Sequence, residues 1–219
     1  MIWTIPNILT VVRLLAAPLV ILVFLVLPHP YADWIALVLF VGAAMTDWFD
    51  GYLARAWGQQ TKLGTMLDPI ADKAMVVVAL AALLALVGMD ALLVIPTALI
   101  LFREVFVSGL REFLGDTAGT LKVTRLAKWK TTVQMVAISV LFLHGIFEHK
   151  VGMVTFGMDQ NLINGVLNGD VEDLYGLLAN LRAMAFAWWA GIALIWLAAI
   201  LTVMTGWDYF QKSLPYLKD

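Results

Sequence analysis

The chain has 219 residues, of which 62% are hydrophobic and 14% charged, with a formal net charge of -2 and a mean hydropathy of +0.89. A water-soluble domain carries about 45–50% apolar and about 25% charged residues, so this composition describes a chain whose outer surface faces lipid. The near-neutral balance argues against a nucleic-acid partner, and the absence of Cys excludes disulfides, thiolate metal sites and a cysteine nucleophile.

A hydrocarbon core about 30 Å thick needs about 20 residues of helix to cross it. Six stretches meet that need, and the expected fold is an all-α integral membrane bundle of six transmembrane helices. The first runs from about Ile8 to Leu27. It lacks a basic segment ahead of the apolar run and is interrupted by Arg13, so it reads as a retained membrane helix rather than a signal peptide. Asn7, Thr10 and Arg13 recur every three residues and form a polar stripe that should face the bundle.

The second span, about Tyr31–Trp57, ends in Thr46-Asp47-Trp48-Phe49-Asp50-Gly51-Tyr52-Leu53-Ala54-Arg55. The third, about Asp68–Gly88, is entered through Gly64-Thr65-Met66-Leu67-Asp68-Pro69-Ile70-Ala71-Asp72-Lys73. Spacings of three (Asp47, Asp50) and four (Asp68, Asp72) put each acidic pair on one helix face. The short connection makes the two helices antiparallel neighbours, with four carboxylates in one pocket. Each such charge costs about 2.5–3.5 kcal/mol at the centre of a membrane helix, so a cation must balance them. Ligands that are all oxygen favour a hard ion, Mg²⁺ or Mn²⁺, and two such ions can span a pyrophosphate. Gly51, Ala54 and Gly64 leave room for a ligand or a neighbouring backbone. Pro69 is expected in the first turn of its helix, and Arg55 suits a phosphate oxygen.

The fourth span, about Ala91–Phe113, places Glu104, Ser108 and Arg111 on one face, with Arg103 toward the same half. The fifth, about Trp129–Phe147, opens with Lys128-Trp129-Lys130-Thr131-Thr132-Val133-Gln134-Met135. Cations converging on one cavity point to an anionic acceptor, although Arg111, Lys128 and Lys130 are also placed to snorkel to lipid phosphates. A long connection from about Glu148 to Asn180, with room for a short interfacial helix, leads to the sixth span at about Leu181–Thr205. The chain reads as a single domain, 1–219.

Every intramembrane charge falls toward one side of this zigzag. That side also holds Lys62, Lys122, Arg125, Lys212 and Lys218, while the other has mainly acids, among them Asp33, Asp90, Glu148, Asp159 and Asp170. The positive-inside rule then puts the charged end and both termini in the cytoplasm.

The run from Asp47 to Asp72 resembles the signature of the CDP-alcohol phosphotransferase family, D-x2-D-G-x2-A-R-x8/9-G-x3-D-x3-D, with its eight fixed positions at Asp47, Asp50, Gly51, Ala54, Arg55, Gly64, Asp68 and Asp72. The resemblance implies that Asp47, Asp50 and Asp68 hold two Mg²⁺ ions with Asp72 also near them. It makes Asp72 the base that deprotonates an acceptor alcohol. Asp47, Gly51, Ala54, Arg55, Gly64 and Asp68 would contact the CDP moiety. The opening Pro6-Asn7-Ile8-Leu9-Thr10 to Arg13 and Pro18, the Arg103–Glu112 stretch and the Lys128–Met135 stretch resemble the bacterial branch of the family that uses glycerol phosphate, over about Ile5–Ala137. That implies CDP-diacylglycerol as donor and sn-glycerol 3-phosphate as acceptor, with Arg103, Arg111, Lys128 and Lys130 on the acceptor's phosphate. It also implies a homodimer in the bacterial inner membrane, and makes 148–180 look like an insertion. Inositol phosphate, serine or phosphatidylglycerol as acceptor, and a divalent-cation transporter, are the competing readings.

Overall fold

A computed structural model describes residues 4–56, 61–120 and 125–217, without the side chains of 47–56, 116, 118, 120, 125, 127 and 128. The regular structure of the described residues is all helical, with no strand: α1 Ile5–Val26, α2 Tyr31–Ala56, α3 Lys62–Val87, α4 Ala91–Leu114, α5 Arg125–Thr155, α6 Gln160–Asn168 and α7 Leu177–Ser213, with 3-10 turns at Gly115–Thr120 and Leu214–Tyr216. Among the described residues, five helices are long and apolar enough to cross a membrane. In α2 the described apolar part, Tyr31–Thr46, precedes the acidic run.

Helix starts follow local chemistry. The Thr61 hydroxyl accepts from Gly64 N at 3.0 Å, Asp90 from Leu92 N at 2.7 Å and Asp159 from Leu162 N at 2.7 Å, each satisfying an amide that has no partner in the first turn. Asp173 does the same for Leu177 N and Leu178 N, at 2.7 and 2.9 Å, across Gly176, whose φ of 69° is open to glycine at little cost. The Thr61 cap starts α3 six residues ahead of Asp68, so Pro69 lies inside the helix and not in its first turn as the sequence suggested. Asp68 and Asp72 are correspondingly set deeper along α3.

The connection expected over 148–180 is shorter. Helix α5 continues to Thr155 and α7 starts at Leu177; the short helix expected between them is α6. At the start of the extension the His149 ring stacks on His29 of the α1–α2 turn.

The core draws on six helices, with Ala17, Phe40, Leu80, Ile100, Phe142 and Ile195 among its buried members. α5 and α7 pack along one another, α4 against α7, and α1 along both α2 and α3. Among the described residues, the two aspartate helices touch each other only slightly, and α1 makes most of the contact with each. Outward faces are apolar: Leu15, Phe102, Val105, Phe186 and Trp189 are all more than half exposed. An apolar outer surface on this many long apolar helices is that of a multi-pass membrane protein.

Candidate active site

The polar stripe of α1 meets the second acidic pair. Asn7, Thr10 and Arg13 are all buried. The Asn7 side-chain oxygen accepts from the Thr61 hydroxyl at 2.8 Å, tying the cap of α3 to α1. A Cβ on Gly64 would stand 2.7 Å from that oxygen, so glycine there leaves the Asn7 side chain room to reach the start of α3. The Thr10 hydroxyl donates to Asp68 Oδ1 at 2.7 Å, and Arg13 donates to Asp72 Oδ1 in an ion pair. Arg13 is 2% exposed and the Asp72 side chain 41%, so the pair reaches from the packed interior to an open edge.

That edge is a cavity lined by Asp72, Lys73, Glu104, Arg111, Lys130 and Gln134, with Pro69, Val76, Thr131 and Met135. Its walls come from α3, α4 and α5. Lys130 and Arg103 both donate to Glu104 Oε1, the latter at 2.9 Å, forming a largely buried triad of two cations on one carboxylate. Lys73 Nζ donates to Ser108 Oγ at 2.5 Å, and that hydroxyl donates to the Glu104 carbonyl oxygen at 2.5 Å. The Arg111 guanidinium lies over the Tyr209 ring, 5.3 Å from its centroid.

Of the residues singled out from sequence, Asp72, Arg111 and Lys130 therefore share one cavity, with Asp68 one turn along α3. Arg103 reaches it only through Glu104; its stem runs past Gly206 of α7, where a Cβ would stand 2.9 Å from Arg103 Cγ. The side chains of Asp47, Asp50, Ala54, Arg55 and Lys128, and Gly51 beside them, lie outside the described residues. Lys73 and Gln134 are cavity residues to which the sequence assigned no role. The available signal for Lys73 was its place beside Asp72 at membrane depth, where an unpaired ammonium is costly.

The cavity adjoins an apolar groove of about 760 Å³ between α2 and α5, lined by Leu37, Val41, Met45, Val136 and Leu143. Thr131 and Met135 line both spaces. A polar chamber thus shares a wall with a hydrocarbon-compatible trough, the combination that a substrate with a charged head and apolar tails requires.

The donors suit a hard divalent ion: Asp68 and Asp72 offer carboxylate oxygens one turn apart on the same helix, and Thr10 and Arg13 fix how two of those oxygens face. Among the described residues, which leave out the Asp47 and Asp50 side chains, no three His, Asp or Glu side chains converge as metal ligands.

A family model for CDP-alcohol phosphatidyltransferases matches residues 3–165, and the chain belongs to that family. It is 58% identical over 218 residues to a protein of Cereibacter sphaeroides, an alignment covering 99% of this chain and 98% of the relative. It is 37% identical over 211 residues to one of Rickettsia bellii, covering 96% of each, and 39% identical over 158 residues to one of Shigella flexneri, covering 70% of this chain and 85% of the relative. All three relatives carry the name CDP-diacylglycerol–glycerol-3-phosphate 3-phosphatidyltransferase.

Proposed function

We propose that this chain transfers the phosphatidyl group of CDP-diacylglycerol to sn-glycerol 3-phosphate, forming phosphatidylglycerol phosphate and releasing CMP. The observation that carries the reading is the shared wall at Thr131 and Met135, which joins a chamber holding Asp72, Lys73, Arg111 and Lys130 to an apolar groove. A lipid-linked nucleotide and an anionic acceptor both find matching surface there, and the relatives' names describe the same pairing.

In this mechanism Asp72 accepts the proton of the acceptor's primary hydroxyl, whose oxygen forms a bond to the phosphorus carrying the diacylglycerol. The pyrophosphate P–O bond breaks and CMP departs with the electron pair. Arg13 holds the Asp72 carboxylate in position. Lys130 and Arg111, with Lys73 and the Arg103–Glu104 pair behind them, bind the acceptor's phosphate, and Lys128 is assigned there with them. Asp47, Asp50, Asp68 and Asp72 would hold two divalent ions, Mg²⁺ or Mn²⁺, whose charge would offset that of the pyrophosphate and of the departing phosphate. Asp47, Gly51, Ala54, Arg55, Gly64 and Asp68 cradle the CDP moiety. The remaining work is positioning.

The same proposal takes α2 as a sixth span and the chain as one domain with an insertion at 148–180, supported by a core that draws on α1 to α5 and α7. It sets the charged end and both termini in the cytoplasm of a bacterial inner membrane, supported by the excess of Lys and Arg at that end. A homodimer, implied by family resemblance, is read from the mass of the protein in detergent.

Purified protein supplied with CDP-diacylglycerol and, in turn, glycerol 3-phosphate, inositol phosphate, serine or phosphatidylglycerol tests the acceptor. CMP release with glycerol 3-phosphate alone is expected. Its absence with that acceptor overturns the reading.

A further inference from the structure

Gln134 of α5 is a neutral group set among charges. It is only 3% exposed, yet it lines the chamber together with Asp72, Lys73, Arg111 and Lys130. Among the described residues, no side chain or backbone group is hydrogen-bonded to its carboxamide. Burying an amide without a partner works against folding, so a carboxamide on this wall calls for a ligand.

Its place follows from the period of the helix. Gln134 stands four residues beyond Lys130 on α5, as Val76 stands four beyond Asp72 on α3, and all four line the chamber. Residues so spaced share a face, with Cβ atoms about 5–6 Å apart. Helix α4 returns the chain between them, so α3 and α5 run in the same direction, and Val76 and Gln134 form the inner end of the chamber. The residues assigned to the nucleotide lie on α2 and α3, whereas Gln134 shares its face of α5 with Lys130.

The charged groups each have a counterpart in the acceptor. Cations meet its phosphate, and Asp72 meets its primary hydroxyl. Glycerol 3-phosphate has one polar group more, the secondary hydroxyl on the carbon next to the one that bears the phosphate. A hydroxyl both donates and accepts, and a carboxamide answers it in both senses, with a carbonyl oxygen that accepts and an NH₂ that donates. An ammonium at this position would compete for the phosphate, and a carboxylate would repel it.

We propose, resting on the glycerol phosphate transfer given above, that Gln134 binds the acceptor's secondary hydroxyl and sets the specificity of the chamber for it. Phosphate on Lys130 and Arg111, primary hydroxyl on Asp72 and secondary hydroxyl on Gln134 make three contacts around one stereocentre. Three contacts are the fewest that tell the two hands of glycerol phosphate apart. The same carboxamide therefore selects the hand of the product.

The test measures CMP release by wild type and Gln134→Leu in mixed micelles with three acceptors. These are sn-glycerol 3-phosphate, its enantiomer sn-glycerol 1-phosphate, and 3-hydroxypropyl phosphate, which lacks the secondary hydroxyl. In kcat/KM, wild type should favour sn-glycerol 3-phosphate over 3-hydroxypropyl phosphate by about tenfold to a hundredfold, the effect of leaving a buried polar group unpaired. Gln134→Leu should bring that ratio to about one and narrow the preference of hand, with KM for CDP-diacylglycerol unchanged. Lys130→Gln should weaken both phosphates alike and keep the ratio. If Gln134→Leu does not fold, Gln134→Met, which keeps the length of the side chain, takes its place. An equal ratio in wild type and variant, no preference in wild type, or an effect confined to KM for CDP-diacylglycerol would each overturn the role of Gln134 alone. No CMP release by wild type with sn-glycerol 3-phosphate would overturn the transfer itself, and the role of Gln134 with it.

Discussion

Arg13 of α1 and Asp72 of α3 form an ion pair in which the arginine is buried and the carboxylate opens on the chamber. The pair fixes the Asp72 carboxylate through a helix that contributes no acid of its own. The arginine needs the carboxylate for its charge, and the carboxylate needs the arginine for its direction.

Asp72→Asn should therefore lower kcat by about 10²–10⁴, the range of a lost general base. Arg13→Gln should lower kcat with little change in KM for the acceptor, because it misplaces Asp72 without touching the acceptor's phosphate. Steady-state CMP release across both substrates measures the split. An Arg13→Gln effect confined to KM would contradict the positioning role.

Lys130 and Glu104 separate binding from stability. Lys130→Gln leaves Glu104 still paired with Arg103, so folding should survive while KM for glycerol 3-phosphate rises about tenfold and KM for CDP-diacylglycerol holds. Glu104→Gln leaves two cations facing each other without their carboxylate, and breaking such a buried set costs about 3–5 kcal/mol. Unfolding in detergent should show Glu104→Gln as much the less stable of the two.

Gly64→Ala places a methyl 2.7 Å from the Asn7 side-chain oxygen, and overpacking of this kind costs about 1–3 kcal/mol. Asn7→Ala in the same chain removes the clashing atom, and a double-mutant cycle should return a favourable coupling between the two sites. Additive losses would mean that α1 and α3 do not meet there.

Chelation with EDTA should stop CMP release, and Mg²⁺ or Mn²⁺ should restore it. Asp68→Asn should raise the metal concentration needed for half-maximal rate, since it removes one oxygen ligand and disturbs the Thr10 bond. An unchanged metal dependence in that variant would remove Asp68 from the metal set.

Filling the groove should separate the two substrates in the opposite sense from Lys130→Gln. Val41→Trp, on the α2 wall, is expected to raise KM for CDP-diacylglycerol about tenfold, a loss of about 1.4 kcal/mol, with KM for glycerol 3-phosphate unchanged. Kinetics in mixed micelles, with lipid and acceptor varied separately, measure it.

What the sequence determined by itself was local: where the long apolar helices fall, which side chains share a face, and the acidic spacing from Asp47 to Asp72. Those follow from the period of a helix and from the thickness of the lipid it crosses. The stripe of Asn7, Thr10 and Arg13 was legible as one face turned inward, but not its partners. Only the tertiary structure decided that α1 packs along both aspartate helices, that Arg13 meets Asp72, and that Lys73 and Gln134 enter the chamber. Periodicity within one helix says which face is polar. Which other face it meets depends on how all the helices fill the shared core, where Gly64 and Gly206 let backbone and side chain approach and larger residues hold them apart.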